Sequence, residues 1–286
     1  MSFVKIIICV AFCLLFQLIF SENVWAWGPA IHTLIGCRIL NEMGHLLPSV
    51  SGVIHFYHLE YLYGSLSADF FIGKGQKRKA GHSHNWEAGF RFLGEVKGDR
   101  ESAYAYGFLS HLAADVIAHN YFVPNFIQGA SALKRMGHVL CEVGADYSVH
   151  PFYMRMAREV LGREDLGCDE LLKAAVGKNN AFKARKHIFT QGVKLSDFLN
   201  GSQNILSGDE NSSYKPSPEF LESMIDLSYR MVKDLLTHLY SSPCLYYDPI
   251  GSQNLRLARR IGMISKLFNI PPNGFQINVD QKLLNL

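Results

Sequence analysis

Tyr106-Gly107-Phe108-Leu109-Ser110-His111-Leu112-Ala113-Ala114-Asp115-Val116-Ile117-Ala118-His119 reads as a helix that is apolar almost all round, yet it carries three polar groups at one repeated spacing. At about 100° per residue, His111, Asp115 and His119 are each offset by about 40°, so they share one face within about 80°. Phe108, Leu109, Leu112, Ala113, Ala114, Val116, Ile117 and Ala118 fill the rest of the surface, and a helix of that kind is a buried one. A buried, unpaired carboxylate costs several kcal/mol, so Asp115 needs compensation. A metal ion supplies it and gives the imidazoles a role as fellow ligands; a ladder of His–Asp hydrogen bonds is the alternative.

Working outward, His138-Val139-Leu140-Cys141-Glu142 places a histidine and a carboxylate on one face of a second apolar segment, with Asp146 following at the same spacing. Taken singly, such a pair also suits a surface salt bridge. Two apolar helices that both carry inward His/carboxylate pairs form the pattern from which facing helices build a metal site. Asp69 lies inside the apolar stretch Gly64-Ser65-Leu66-Ser67-Ala68-Asp69-Phe70-Phe71. His82 and His84 follow in His82-Ser83-His84-Asn85-Trp86, as a ligand pair or as part of a helix N-terminal cap. Of the twelve histidines, His45, His55, His58, His150, His187 and His238 lack such company and read as structural or surface residues.

Helical periodicity runs through the rest of the chain. Helices are expected over residues 29–44, 51–63, 85–97, 101–120, 129–146, 149–161, 168–176, 178–190, 217–240 and 251–268. Residues 64–83 and 200–218 read as loops, and the tail after Pro271 as irregular. Strand alternation is nearly absent and there is no internal repeat. The expected class is all-α, a single multi-helix domain.

The first 26 residues have the shape of a signal peptide. Lys5 gives a positive start, Ile6 to Phe20 is apolar apart from Gln17, and Val24-Trp25-Ala26 offers a small-residue cleavage pattern. The apolar run is short for a membrane span of about 20 residues, although an uncleaved anchor is the competing reading. Cleavage after Ala26 would give a secreted or periplasmic protein, residues 27–286, that begins at Trp27. Its free amine and carbonyl would then lie just ahead of His32. The formal net charge of +3 does not call for a stable nucleic-acid partner. The cluster Lys74-Gly75-Gln76-Lys77-Arg78-Lys79 suits a solvated loop or a contact to an anionic substrate or lipid headgroup. Cys37, Cys141, Cys168 and Cys244 remain after cleavage, as disulfides or buried thiols, and offer no zinc knuckle. Any metal must be held by histidine and carboxylate.

The ordered set Trp27, His32, Asp69, His82/His84, His111-x3-Asp115, His119, His138-x3-Glu142 resembles the zinc-dependent phospholipase C family. That superfamily also contains single-strand-specific nucleases and the catalytic domain of glycosylphosphatidylinositol-specific phospholipase D. The resemblance covers Trp27 to about Asp146 and implies an all-α fold enclosing a cleft with about three zinc ions. By that resemblance, Trp27 binds one zinc through its amino and carbonyl groups, together with His32. Asp115 bridges to a second, which Asp69, His82 and His111 also hold, with His84 competing for the place of His82. His119, His138 and Glu142 hold the third. Asp115 and His119 are separated by three residues where the phospholipase C and nuclease patterns have five, as in the phospholipase D-like branch.

The implied activity is hydrolysis of phospholipids by metal-activated water, with Asp69 as general base. A peripheral contact with a membrane surface would accompany it. An extracellular single-strand nuclease with the same zinc cluster is the second reading, and a non-catalytic zinc-binding exported protein the third.

Overall fold

A computed structural model describes residues 27–71, 84–129, 144–163, 168–176, 182–201, 217–268 and 276–286. Among them there is no strand, and the helices pack into one all-α domain around one core. None of the described helices is long and apolar enough to cross a membrane. Residues 1–26, expected to be a signal segment, the basic cluster 74–79, His82, His138, Cys141 and Glu142 lie outside the described residues.

The central element is α5 (Asp99–Ile117), preceded in the chain by α1 (Pro29–Asn41), α2 (Pro48–Phe56), α3 (His58–Ser67) and α4 (Trp86–Glu95). Asp99 and Glu101 sit in the first turn of α5, where the helix dipole favours acids. From Ala103 onward nearly every residue is buried, histidine and aspartate included. Helix α3 crosses α5 with the two backbones in contact. A Cβ at Gly107 would overlap the Tyr61 carbonyl, and one at Gly64 would overlap the Tyr104 carbonyl. Only hydrogen at both positions permits that approach.

This crossing corrects the expectation of a loop from Gly64 onward. The chain stays helical to Ser67 and continues as a tight 3₁₀ turn, Ala68–Phe71. Gly64 there marks a helix contact rather than a break, because Leu62, Leu66 and Phe70 bury themselves on either side of it. The helix expected over 51–63 is two, divided at Tyr57, and α1 closes at Asn41 ahead of Gly44. Beyond Ile117 the central helix widens into a π turn, Ala118–Phe122, before α6 (Val123–Gly129). A straight α-helix through residue 120 was expected.

The second half supplies α7 (Pro151–Leu161), α8 (Asp169–Val176), α9 (Phe182–Gly201), α10 (Pro218–His238), α11 (Ser252–Phe268) and the short α12 (Gln281–Leu284). Residues 144–148 are helical, as expected for that stretch, and residues 130–143 lie outside the description. Helix α9 runs further than the 178–190 expected. Helix α10 buries Leu227, Met231, Val232 and Leu235, and packs on both α1 and α5. Ser228, midway along it, accepts a hydrogen bond from the Trp27 indole at 2.9 Å, which pins the start of α1. Cys37, Cys168 and Cys244 form no disulfide. Burial pushes their pKa values up to about 11, 12 and 12, which leaves them unreactive.

Candidate metal centre

Five elements deliver side chains to one buried point. Helix α1 brings His32, the turn after α3 brings Asp69, and the segment ahead of α4 brings His84. Helix α5 brings His111 and Asp115, and the π turn brings His119. All six are buried. His111 Nε2 lies 3.1 Å from Asp115 Oδ2, 3.5 Å from Asp69 Oδ1 and 3.1 Å from His84 Nε2. His84 Nε2 lies 3.4 Å from Asp69 Oδ1 and 3.6 Å from Asp115 Oδ2. His32 Nε2 faces the other Asp115 oxygen at 3.4 Å, and its ring stacks on that of His111 with centroids 4.0 Å apart. His119 Nε2 approaches Asp115 Oδ2 to 3.6 Å.

The donor set fits a cation. His111 Nδ1 sits 2.8 Å from the carbonyl oxygen of Ser65, so that nitrogen donates its proton there and Nε2 presents a lone pair inward. In a neutral ring that lone pair faces two carboxylates and a second imidazole nitrogen, so positive charge is needed among them, from protonated imidazoles or from a metal ion. His32 Nε2, Asp115 Oδ1 and His119 Nδ1 are moreover buried with no hydrogen-bond partner among the described residues, an arrangement that costs free energy unless something else satisfies them. His32, Asp69 and His111 lie close enough to offer ligand atoms to one ion, and so, as an overlapping group that shares His111, do His84, His111 and Asp115. Imidazole and carboxylate ligands are those zinc accepts.

The electrostatics agree. Burial alone would raise the pKa of Asp115, but the imidazoles of His111, His119 and His32 outweigh it and hold the carboxyl well below its usual range. Asp115 is therefore an anion at the centre of the site, the state a bridging ligand requires.

Three features hold the ring of ligands in place. Asp146 accepts hydrogen bonds from the backbone N–H groups of Ala30 and Ile31, both at 3.1 Å, and so caps the helix that carries His32. Burial, with Asp69 adding to it, pushes the Asp146 pKa up to about 7 against the pull of those two bonds. The π turn is held from α11: Asn254 donates to the Asn120 carbonyl, and Asn120 donates to that of Asp248, both at 2.8 Å. Gly251, at φ 64°, lies against the His119 backbone, where a side chain would overlap the His119 carbonyl.

The structure thus unites six of the residues singled out from sequence. His84 is in the cluster, and His82, His138 and Glu142 lie outside the described residues. Trp27 is buried, with Phe122 packed against its ring at 4.4 Å. His45, His55, His58, His150, His187 and His238 are all exposed, in line with their reading as structural or surface residues, and His238 pairs with Asp234 at 2.8 Å. The sequence reading missed the orienting carbonyl of Ser65 and the capping role of Asp146. A main-chain acceptor leaves no mark in composition. Asp146 was visible only as a continuation of the His138/Glu142 spacing.

No curated protein and no solved structure matches the chain. The model of the family described as zinc dependent phospholipase C matches residues 31–173, a span that holds His32, Asp69, His84, His111, Asp115 and His119. The chain belongs to the zinc-dependent phospholipase C family.

Proposed function

We propose that the protein is an exported phosphodiesterase that hydrolyses glycerophospholipids between the phosphate and the diacylglycerol. Export follows cleavage at Ala26/Trp27, and about three zinc ions serve the reaction. The observation that carries this reading is the meeting of His111 Nε2 with His84 Nε2, Asp69 and Asp115. A cation shared by two buried carboxylates and two imidazoles accounts for their convergence on one point.

Zinc, when bound, supplies a Lewis acid that lowers the pKa of an attacking water and polarises the phosphodiester. The chain's residues do the rest. His32, His84, His111 and Asp115 are the ligands proposed from the described part, with His119 beside them and His138 and Glu142 completing the set from outside it. The Trp27 amine, free after cleavage, joins His32. Its ordinary pKa of about 7.7–8 lets it lose its proton near neutral pH. Asp69 accepts the proton of the water that attacks phosphorus. The bond to the glycerol oxygen breaks, and that oxygen takes up a proton. The buried walls of α3 and α5 exclude bulk water from the site.

The test is a zinc count on the purified protein that starts at Trp27, with hydrolysis assays on phosphatidylcholine and on single-stranded DNA. The expected result is about three zinc per chain and release of diacylglycerol. Less than one zinc per chain removes the proposed centre. Nuclease activity without lipid hydrolysis replaces the substrate assignment.

A further inference from the structure

Apart from Asn254, which holds the His119 turn, the metal centre leaves α11 unused, and this helix has an unusual surface. Its sequence, Ser252 to Phe268, contains Arg256, Arg259, Arg260 and Lys266 and no acidic residue. Its inner side is narrow: Leu255 and Ala258 are the residues it buries. The outward side is apolar and bare. Leu267 is 78% exposed, Phe268 63%, Ile264 55% and Leu257 46%. Leu257, Ile264 and Phe268 fall within about 40° of one another around the axis, and Arg256, Arg260 and Leu267 make the adjoining row. Arg256, Arg259 and Arg260 form no salt bridge with any described residue.

A soluble helix ordinarily points its charges outward and its apolar stripe inward. Here large apolar side chains and unpaired cations share the outward side. That combination suits the boundary between lipid headgroups and acyl chains, where apolar groups enter the hydrocarbon and arginines reach the phosphates. The uncompensated positive charge selects an anionic lipid surface. The N-terminal end of the same helix is tied to the metal centre through Asn254 and Gly251, which hold the His119 turn.

We propose that α11 is an interfacial docking helix that seats the enzyme on anionic membranes, with Leu257, Ile264, Leu267 and Phe268 inserted and Arg256 and Arg260 on the headgroup phosphates. This deepens the lipid reading above and rests on it for the biological setting, but its test does not depend on turnover. Zinc-loaded protein starting at Trp27 is floated with vesicles of phosphatidylcholine alone and with vesicles containing about one third phosphatidylglycerol. Binding is expected to the anionic vesicles and to weaken as salt rises. The double variant R256Q/R260Q is expected to bind about 30-fold more weakly. L267S/F268S is expected to lose the salt-resistant part of the binding. These side chains are exposed, so both variants keep the helical circular dichroism of the parent and its turnover of a monomeric short-chain phospholipid.

Equal binding of parent and variants overturns the proposal, as does equal affinity for neutral and anionic vesicles. Arginine-dependent capture of single-stranded DNA without vesicle binding overturns it too. Vesicle binding without lipid hydrolysis would leave the docking helix standing and remove the phospholipase assignment; hydrolysis without arginine-dependent binding would do the reverse.

Discussion

His111 reaches the metal centre from α5 with its Nδ1 held by the carbonyl of Ser65 on α3, 2.8 Å away. One hydrogen bond between two helices thereby decides which imidazole nitrogen faces Asp69, His84 and Asp115. The bond exists because α3 and α5 touch at Gly64, next to Ser65, and at Gly107, one helical turn before His111. Helix packing and ligand chemistry are the same contact at this point.

Gly107→Ala should therefore impair both. The added methyl overlaps the Tyr61 carbonyl, so the helices must part. We expect a loss of about 1–3 kcal/mol in stability, typical of overpacking. Zinc affinity should fall about 10- to 100-fold, as when a ligand loses its orienting partner. Chemical denaturation and competitive zinc titration measure the two effects separately.

Asp115→Asn should abolish turnover while keeping the helix. Asparagine preserves shape but removes the anion that His32, His111 and His119 surround. Bound zinc should drop below that of the parent and activity should fall more than about 100-fold. Full activity in this variant would show that Asp115 is not the bridge.

Removing zinc should lower the melting temperature. Buried imidazoles and carboxylates lose their shared cation, and a ligand at about 1,000 times its Kd stabilises a fold by about 4 kcal/mol. Calorimetry before and after chelation, with zinc added back, reads the difference. The Asp115→Asn variant should show a smaller drop.

Asp146 predicts a pH dependence. Its carboxyl rises from an ordinary 3.8 to about 7 in the fold. The native state thus keeps a proton that the unfolded chain releases at lower pH. The contribution of this group is full below about pH 4 and is lost as the pH rises through about 7. Asp146→Asn keeps an acceptor for the start of α1 and should flatten that part of the stability profile, measured as melting temperature across the range.

The proposed processing at Ala26/Trp27 carries its own prediction. A protein that retains Ala26 presents an amide in place of the Trp27 amine. It should bind less zinc and turn over more slowly than protein beginning at Trp27, while its circular dichroism stays unchanged. N-terminal sequencing of the exported protein identifies the natural start.

The helical class and the core of the ligand set were legible in the sequence because both rest on local periodicity. An apolar helix with His111, Asp115 and His119 on one face declares that it is buried and that its polar groups must be satisfied, by a cation or by one another. The turn carrying Asp69 was misread as loop because Gly64 looks like a breaker in isolation; its meaning depends on Tyr104, on another helix. The π turn at His119 was equally hidden, since the groups that hold it, Asn254 and Gly251, lie far along the chain.

By itself, then, the sequence determined which residue types had to be buried together: the spacing of polar groups on apolar helices is a one-dimensional property. Tertiary structure alone decided which of them meet. It brought His84 beside His111, turned the His111 lone pair inward with the Ser65 carbonyl, and set Asp146 on the N-terminus of the helix that carries His32. These are contacts of a few ångströms between distant segments, fixed by how closely helices can approach, and no local pattern encodes that distance.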